Sequence, residues 1–133
     1  MKKFLLSDPK LLLYGFSILF FASYGQTFFI SLFNTEIRLF YSLSDGEFGL
    51  VYAIATLSSS FILISFAKLI DHLDLRLYSL IITFGFLLAC LGMVFLVNNI
   101  LYLFLIIFML RFFGQGAMDH AGGTTMARYF GND

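Results

Sequence analysis

The chain of 133 residues is 60% hydrophobic and only 12% charged, and its mean hydropathy is +0.93. A soluble domain carries about 25% charged residues, so this composition excludes an ordinary soluble enzyme or binding domain and predicts an all-α integral membrane protein. The formal net charge of zero gives no sign of a nucleic-acid partner, and the single cysteine, Cys90, cannot form an internal disulfide.

Four apolar stretches are long enough to cross a membrane, since about 20 residues span a hydrocarbon core of about 30 Å. We name the predicted helices spans one to four; they cover residues 11–33, 48–67, 77–97 and 100–127. Asn98 and Asn99 separate the last two spans, which must therefore be antiparallel neighbours. A charged loop is predicted between spans one and two, with a turn at Asp45-Gly46. Residues 1–133 are expected to form one transmembrane domain.

The basic residues outside the spans predict the orientation of the chain. If the N-terminus is cytoplasmic, the outer side carries only Arg38. The inner side then carries Lys2, Lys3, Lys10, Lys68, Arg76 and Arg128. We therefore expect a cytoplasmic N-terminus, in a location such as the bacterial inner membrane.

Span four carries Arg111, Gln115 and Asp119 one helical turn apart. At about 1.5 Å per residue from Leu101, Arg111 lies about 15 Å deep, and Asp119 lies about 27 Å deep, at the cytoplasmic edge. A charge near the midplane costs about 3 to 17 kcal/mol, so Arg111 is expected to face a protein interior or a polar cavity. Together with Gly122, these residues share one helix face.

Span one contributes a second set of polar side chains. Ser17, Tyr24 and Thr27 fall within an arc of about 120°, and such hydroxyls either line a cavity or form bonds between and within membrane helices. Tyr24-Gly25-Gln26 also repeats the aromatic-Gly-Gln order of residues 113–115 in span four. Because spans one and four run in opposite directions, the two motifs are expected to lie at a similar depth, as in the inverted repeats of transporters.

Two sequence patterns match one known family in position and order. A signature of the major facilitator superfamily, G-x-L-a-D-[RK]-x-G-[RK]-[RK], lies between the second and third helices of its members. In this chain its Leu, its Asp and its final basic residue are matched by Leu69, Asp71 and Arg76. In span four, R-F-F-G-Q-G at 111–116 and A-R-Y-F at 127–130 are similar to runs found in a subset that includes monocarboxylate-type carriers. The chain therefore resembles this superfamily across all four spans.

The resemblance implies a secondary transporter with alternating access, coupled to a proton or ion gradient, for a small organic solute such as a monocarboxylate. It associates Arg111 with substrate or proton coupling, and it places Asp71 and Arg76 in a cytoplasmic charge network that Asp119 is positioned to join. The rest of the candidate pathway comprises Gln115, Tyr24, Gln26, Ser17 and Thr27. Because members have about twelve helices in two halves, we expect a partial N-terminal half. Its expected partners are the substrate, the lipid bilayer and the missing C-terminal helices of the same chain.

Two other interpretations stay open: a complete four-helix exporter of the small multidrug-resistance type acting as an oligomer, and a non-transporting assembly subunit. The exporter type needs a membrane-embedded Glu in span one, where no acid lies between Lys10 and Glu36. We do not expect an enzyme, a cofactor or a metal site. Gly114-Gln115-Gly116 lies within a helix and follows no strand, unlike a nucleotide-binding loop. His72 and His120 lie in separate regions, and the single cysteine cannot complete a zinc set.

Overall fold

The computed structural model describes residues 8–130, and its regular elements over that range are all helical. Lys2 and Lys3, which contribute to the predicted orientation, lie outside the described residues. Four helices are long and apolar enough to cross a membrane; they are Pro9–Ser31, Asp45–Asp71, Leu75–Val94 and Ile100–Tyr129. These correspond to the predicted spans one to four and keep those names. The chain is an all-α integral membrane protein.

Span one is interrupted, whereas the sequence predicts a continuous helix over 11–33. Helix α1 covers Pro9–Ala22, a 3-10 turn covers Ser23–Gly25, and helix α2 covers Thr27–Ser31. Gln26, between the turn and α2, is extended, with φ −76° and ψ 154°. Because an extended residue cannot continue a helix, span one consists of two helical pieces that meet at Gln26.

A short helix, α3, covers Asn34–Tyr41 and fills most of the segment predicted as a loop. Helix α4, Asp45–Phe66, then begins earlier than the predicted residue 48. Ser44 explains the difference, because its hydroxyl accepts from the Glu47 N–H while the Glu47 carboxylate accepts from the Ser44 N–H at 2.8 Å. This reciprocal capping box fixes a helix start in what the sequence suggests is a turn.

The remaining elements follow the predicted order. They are a 3-10 turn at Ala67–Asp71, α5 at Leu75–Val94, α6 at Ile100–Met109, a π-helical segment at Leu110–Met118 and α7 at Asp119–Phe130. Asn99 caps α6, since its side chain accepts from the Leu101 N–H at 2.8 Å, so the Asn98-Asn99 pair does separate spans three and four. The sequence did not predict the π-helical segment. Such segments are rare in proteins, and those that do occur are often found at functional sites.

Span four is the central helix of the bundle. Its α6 packs against α4 and α5, its π-helical segment packs against α1, α4 and α5, and its α7 packs against α1. Leu103 and Ile107 of α6 and Ile82 of α5 are completely buried. By contrast, Phe61 and Leu80 on spans two and three are 73% and 68% exposed, as expected for side chains that face lipid.

Spans one and four cross most closely at Gly25 and Gly114. A Cβ atom on Gly25 would lie 2.5 Å from the Leu110 carbonyl oxygen and 2.8 Å from the Gly114 Cα. A Cβ atom on Gly114 would lie 2.7 Å from the Phe86 ring. Small residues allow membrane helices this approach, and the irregular backbone of both spans is centred on the crossing.

Replacing either crossing glycine with alanine is expected to destabilise the bundle. Gly25→Ala or Gly114→Ala should lower the free energy of unfolding by about 1–3 kcal/mol, because the added methyl group meets backbone atoms that cannot rotate away. Gly49→Ala is the matched control, since no atom lies within 4 Å of its added methyl. Unfolding in detergent, followed by circular dichroism, measures the difference. Equal stability of Gly25→Ala and Gly49→Ala would contradict the close crossing.

Candidate functional site

The break in span one lies directly against the π-helical segment of span four. Through Gly25 and Gly114, the two aromatic-Gly-Gln motifs contact each other, which confirms that they lie at one level. Gly122, further along span four, faces Leu19 of α1. The predicted shared face of span four therefore packs against span one.

Arg111 is the buried cation at this contact, with 8% of its surface exposed. Its Nη1 donates to Thr27 Oγ1 at 2.9 Å and to the Gly25 carbonyl oxygen at 3.4 Å. The Tyr52 hydroxyl of span two donates to the same Thr27 oxygen at 2.9 Å. The Arg111 guanidinium carbon also lies 5.3 Å from the centre of the Tyr52 ring, within cation–π distance. Three spans thus meet at one guanidinium.

Arg111 has no anionic partner among residues 8–130, where the ion pairs are Arg38–Asp45 and Asp71–Arg128. Its Nε is buried without a hydrogen-bond acceptor, and Gln115 Oε1 is likewise buried without a donor. A buried charge is costly unless it is paired and hydrogen-bonded. The arrangement therefore has a positive charge and unused hydrogen-bonding capacity in the membrane interior, as an anion-binding site requires.

Gln26 and Asp119 form a second polar contact between spans one and four. Gln26 Nε2 donates to Asp119 Oδ2 at 2.6 Å. This contact is possible because Gln26 lies at the break of span one, where its side chain can reach the first turn of α7. Asp119 is thus engaged within the bundle, and among residues 8–130 it forms no ion pair with Arg76 or Arg128.

Tyr24 and Ser17 are placed away from Arg111. Both line a cavity of about 550 Å³ between spans one and three, and neither forms a hydrogen bond with the Arg111 group in the described part of the chain. Helix α1 packs on α7 through Gly15 and Ile18, which leaves Ser17 on the adjacent flank. Of the four span-one candidates, the structure brings only Thr27 into contact with Arg111, and Gln26 contacts Asp119.

The cytoplasmic charge contact differs from the expected network. Asp71 forms an ion pair with Arg128 at the end of α7, and both side chains are 51% exposed. Arg76, another expected member of the network, is exposed and forms no ion pair within residues 8–130. The reason is that α7 continues to Phe130, which carries Arg128 to the loop after span two.

Sequence reasoning missed two residues of these contacts. Tyr52 is one aromatic among many in an apolar span, so no pattern distinguishes it. Arg128 does stand in the A-R-Y-F run at 127–130, and the position of that run at the end of span four could have indicated a partner for Asp71. Among the described residues, no group of three or more His, Cys, Asp or Glu side chains is arranged to hold a metal ion.

No family model, curated protein or solved structure matches this chain. The function is therefore inferred from the arrangement of the side chains described above.

Thr27 is expected to hold the Arg111 group together, because its single oxygen accepts from both Arg111 and Tyr52. Thr27→Val should lower the free energy of unfolding by about 1–3 kcal/mol, since it leaves the buried Arg111 and the half-buried Tyr52 without this acceptor. Thr27→Ser keeps the oxygen and should stay close to the unsubstituted protein. Thr35→Val, at an exposed site on α3, is the control. If Thr27→Val and Thr27→Ser unfold alike, the shared acceptor contributes nothing.

The Asp71–Arg128 pair is expected to contribute little to stability, because both groups are half-exposed. Asp71→Asn and Arg128→Gln should each cost less than about 1 kcal/mol, and the coupling between them should shrink as salt is added. A double-mutant cycle at low and high salt measures this, with Asp71→Asn combined with Arg76→Gln as the control pair. Stronger coupling of Asp71 to Arg76 than to Arg128 would contradict the observed pairing.

Proposed function

We propose that the four spans form part of an alternating-access secondary transporter for a small organic anion such as a monocarboxylate, and that Arg111 binds the carboxylate. The observation that carries the proposal is a buried Arg111 with no anionic partner among residues 8–130. An intramembrane charge is expensive and marks a substrate or ion pathway. The resemblance to the major facilitator superfamily in spans two and four agrees with this proposal.

The hydrogen bonds of Arg111 support a carboxylate ligand in particular. Both observed bonds use Nη1, while Nε is unpaired. Nε and Nη2 form one edge of the guanidinium plane, and this edge matches a carboxylate through two parallel hydrogen bonds. The Gln115 oxygen, also unpaired, can accept from a protonated acid or a hydroxyl group on the substrate.

The irregular helices beside Arg111 allow the Nε–Nη2 edge of its guanidinium to become accessible. Nε is closed to solvent in the described conformation, as expected for one end state of an alternating-access cycle. Interrupted helices near the midplane are a feature of transporter binding sites, and spans one and four are both irregular beside Arg111. A shift between α2 and the π-helical segment opens the site without unfolding either span.

Two further contacts fit the same cycle. The hydrogen bond between Gln26 and Asp119 joins the two irregular spans. Protonation of Asp119 removes the negative charge that accepts this hydrogen bond. The proton gradient is thereby coupled to the movement of the substrate. The Asp71–Arg128 pair fastens span four to the loop after span two and acts as the cytoplasmic gate, with Arg76 nearby in sequence. We place the N-terminus in the cytoplasm and the protein in a bacterial inner membrane.

Uptake of radiolabelled acetate, lactate and pyruvate by cells producing the full-length protein tests the proposal. Arg111→Gln should reduce uptake of the transported acid about 100-fold or more, because it removes the charge that the carboxylate meets. Arg111→Lys should give an intermediate rate, since it keeps the charge and loses the planar fork. Arg38→Gln is the control, because Arg38 pairs with an exposed Asp45 outside the spans.

Equal amounts of each variant in the membrane fraction separate lost transport from lost insertion. Near-normal uptake by Arg111→Gln would show that Arg111 has a structural role, and the proposal would then fail. Absence of uptake of every acid by the unsubstituted protein, in the presence of inward and outward proton gradients, would also contradict it.

A further inference from the structure

A second site lies on the other flank of the span-one break. A partly open cavity of about 580 Å³ is lined by Tyr24 of the 3-10 turn, by α2 and α3, by the end of span three and by Leu110 in the middle of span four. Pockets of about 300–1,000 Å³ accommodate small organic molecules. Arg111 does not line this cavity, so it is separate from the proposed carboxylate site.

The aromatic wall of the cavity is formed by Tyr24, Phe29, Phe33 and Phe40. Tyr24 and Phe29 meet edge to face, with ring centroids 4.8 Å apart, and Phe29 and Phe33 meet at 5.5 Å. Aromatic rings attract organic cations through their electron-rich faces, and quaternary ammonium groups are recognised by sets of such rings. The remaining lining is aliphatic, apart from one thiol and one carboxylate.

That carboxylate belongs to Glu36, and no basic side chain lines the cavity. Glu36 forms no ion pair among the described residues. The nearest basic residue in sequence, Arg38, is engaged by Asp45 and by the Leu43 carbonyl oxygen. The cavity therefore presents a negative charge that the described part of the protein does not neutralise.

The lining of the cavity combines one charged residue outside the spans with apolar residues inside them. Glu36 lies on α3, beyond Ser31, where span one ends, and its side chain is exposed. Ile30 and Leu110, which also line the cavity, belong to spans one and four and are buried. A ligand with a charged head at the membrane boundary and an apolar body within the bundle fits this polarity.

We propose that this cavity binds a hydrophobic organic cation, such as a lipophilic ammonium or phosphonium ion. The positive centre lies beside Glu36 and the rings of Phe33 and Phe40, and the apolar body packs against Tyr24 and Phe29. The site is independent of the carboxylate site at Arg111, since it uses different residues and the opposite charge.

Binding of radiolabelled tetraphenylphosphonium to the purified full chain in nanodiscs tests the proposal, with empty nanodiscs as the background. Glu36→Gln should weaken binding about fivefold, because it removes one partly exposed charge interaction. Asp74→Asn is the control: this exposed carboxylate lies outside the cavity and makes no capping hydrogen bond. Tetraphenylborate, an anion of the same shape, should not show this dependence on Glu36.

The native thiol gives a second readout, because Cys90 is the chain's only cysteine and lines the cavity. Tetraphenylphosphonium should slow the reaction of Cys90 with N-ethylmaleimide, and tetraphenylborate should not. Phe33→Leu should reduce this protection, whereas Phe61→Leu, on the lipid-facing side of span two, should leave it unchanged.

The proposal would be overturned by equal binding by Glu36→Gln and Asp74→Asn, by equal protection of Cys90 by the cation and the anion, or by no binding above empty nanodiscs. The variant Arg111→Gln should still bind tetraphenylphosphonium with unchanged affinity. Loss of cation binding in that variant would place the cation at Arg111 and contradict the separate site, whatever the result of the uptake experiment.

Discussion

The bundle depends on how it accommodates the guanidinium of Arg111 away from water. A buried charge must find polar partners within the protein, and most backbone carbonyls of a membrane helix are already used within the helix. The break at Gln26 changes this locally, because it brings the Gly25 carbonyl oxygen and the Thr27 hydroxyl to Arg111. The close crossing of Gly25 and Gly114 keeps these groups within reach. The irregular part of span one is thus what solvates the charge of span four.

Hydropathy and charge were sufficient to predict the four spans, their order and the face of span four that packs inward. Each of these follows from a property repeated over many residues, so single exceptions do not change it. The break at Gln26 and the π-helical segment were missed for the opposite reason. No proline marks either place, and both irregularities are centred on one contact, between Gly25 and Gly114, which the periodicity of either span alone cannot reveal.

In the candidate site, too, features visible in one helix were predicted and contacts between helices were not. Arg111, Gln115 and Asp119 were identified because polar residues are conspicuous in an apolar helix, and their face is indeed turned towards span one. Tyr52 was not identified, since nothing in the sequence distinguishes it from the other aromatic residues of the apolar spans. Pairing was harder to predict than position: Asp71 meets Arg128 and not Arg76, because the length of α7 decides which cation reaches the loop.

One local irregularity has consequences on both flanks of span one. The break at Gln26 gives Arg111 its uncharged partners on one side, and on the other side Phe29 and Ile30 of α2 line the aromatic cavity together with residues of span three. The two flanks have opposite electrostatic character, a cation without an anion at Arg111 and a carboxylate without a cation at Glu36. Both lie beside the same break, but they use different residues, so the loss of Arg111 leaves the lining of the aromatic cavity in place.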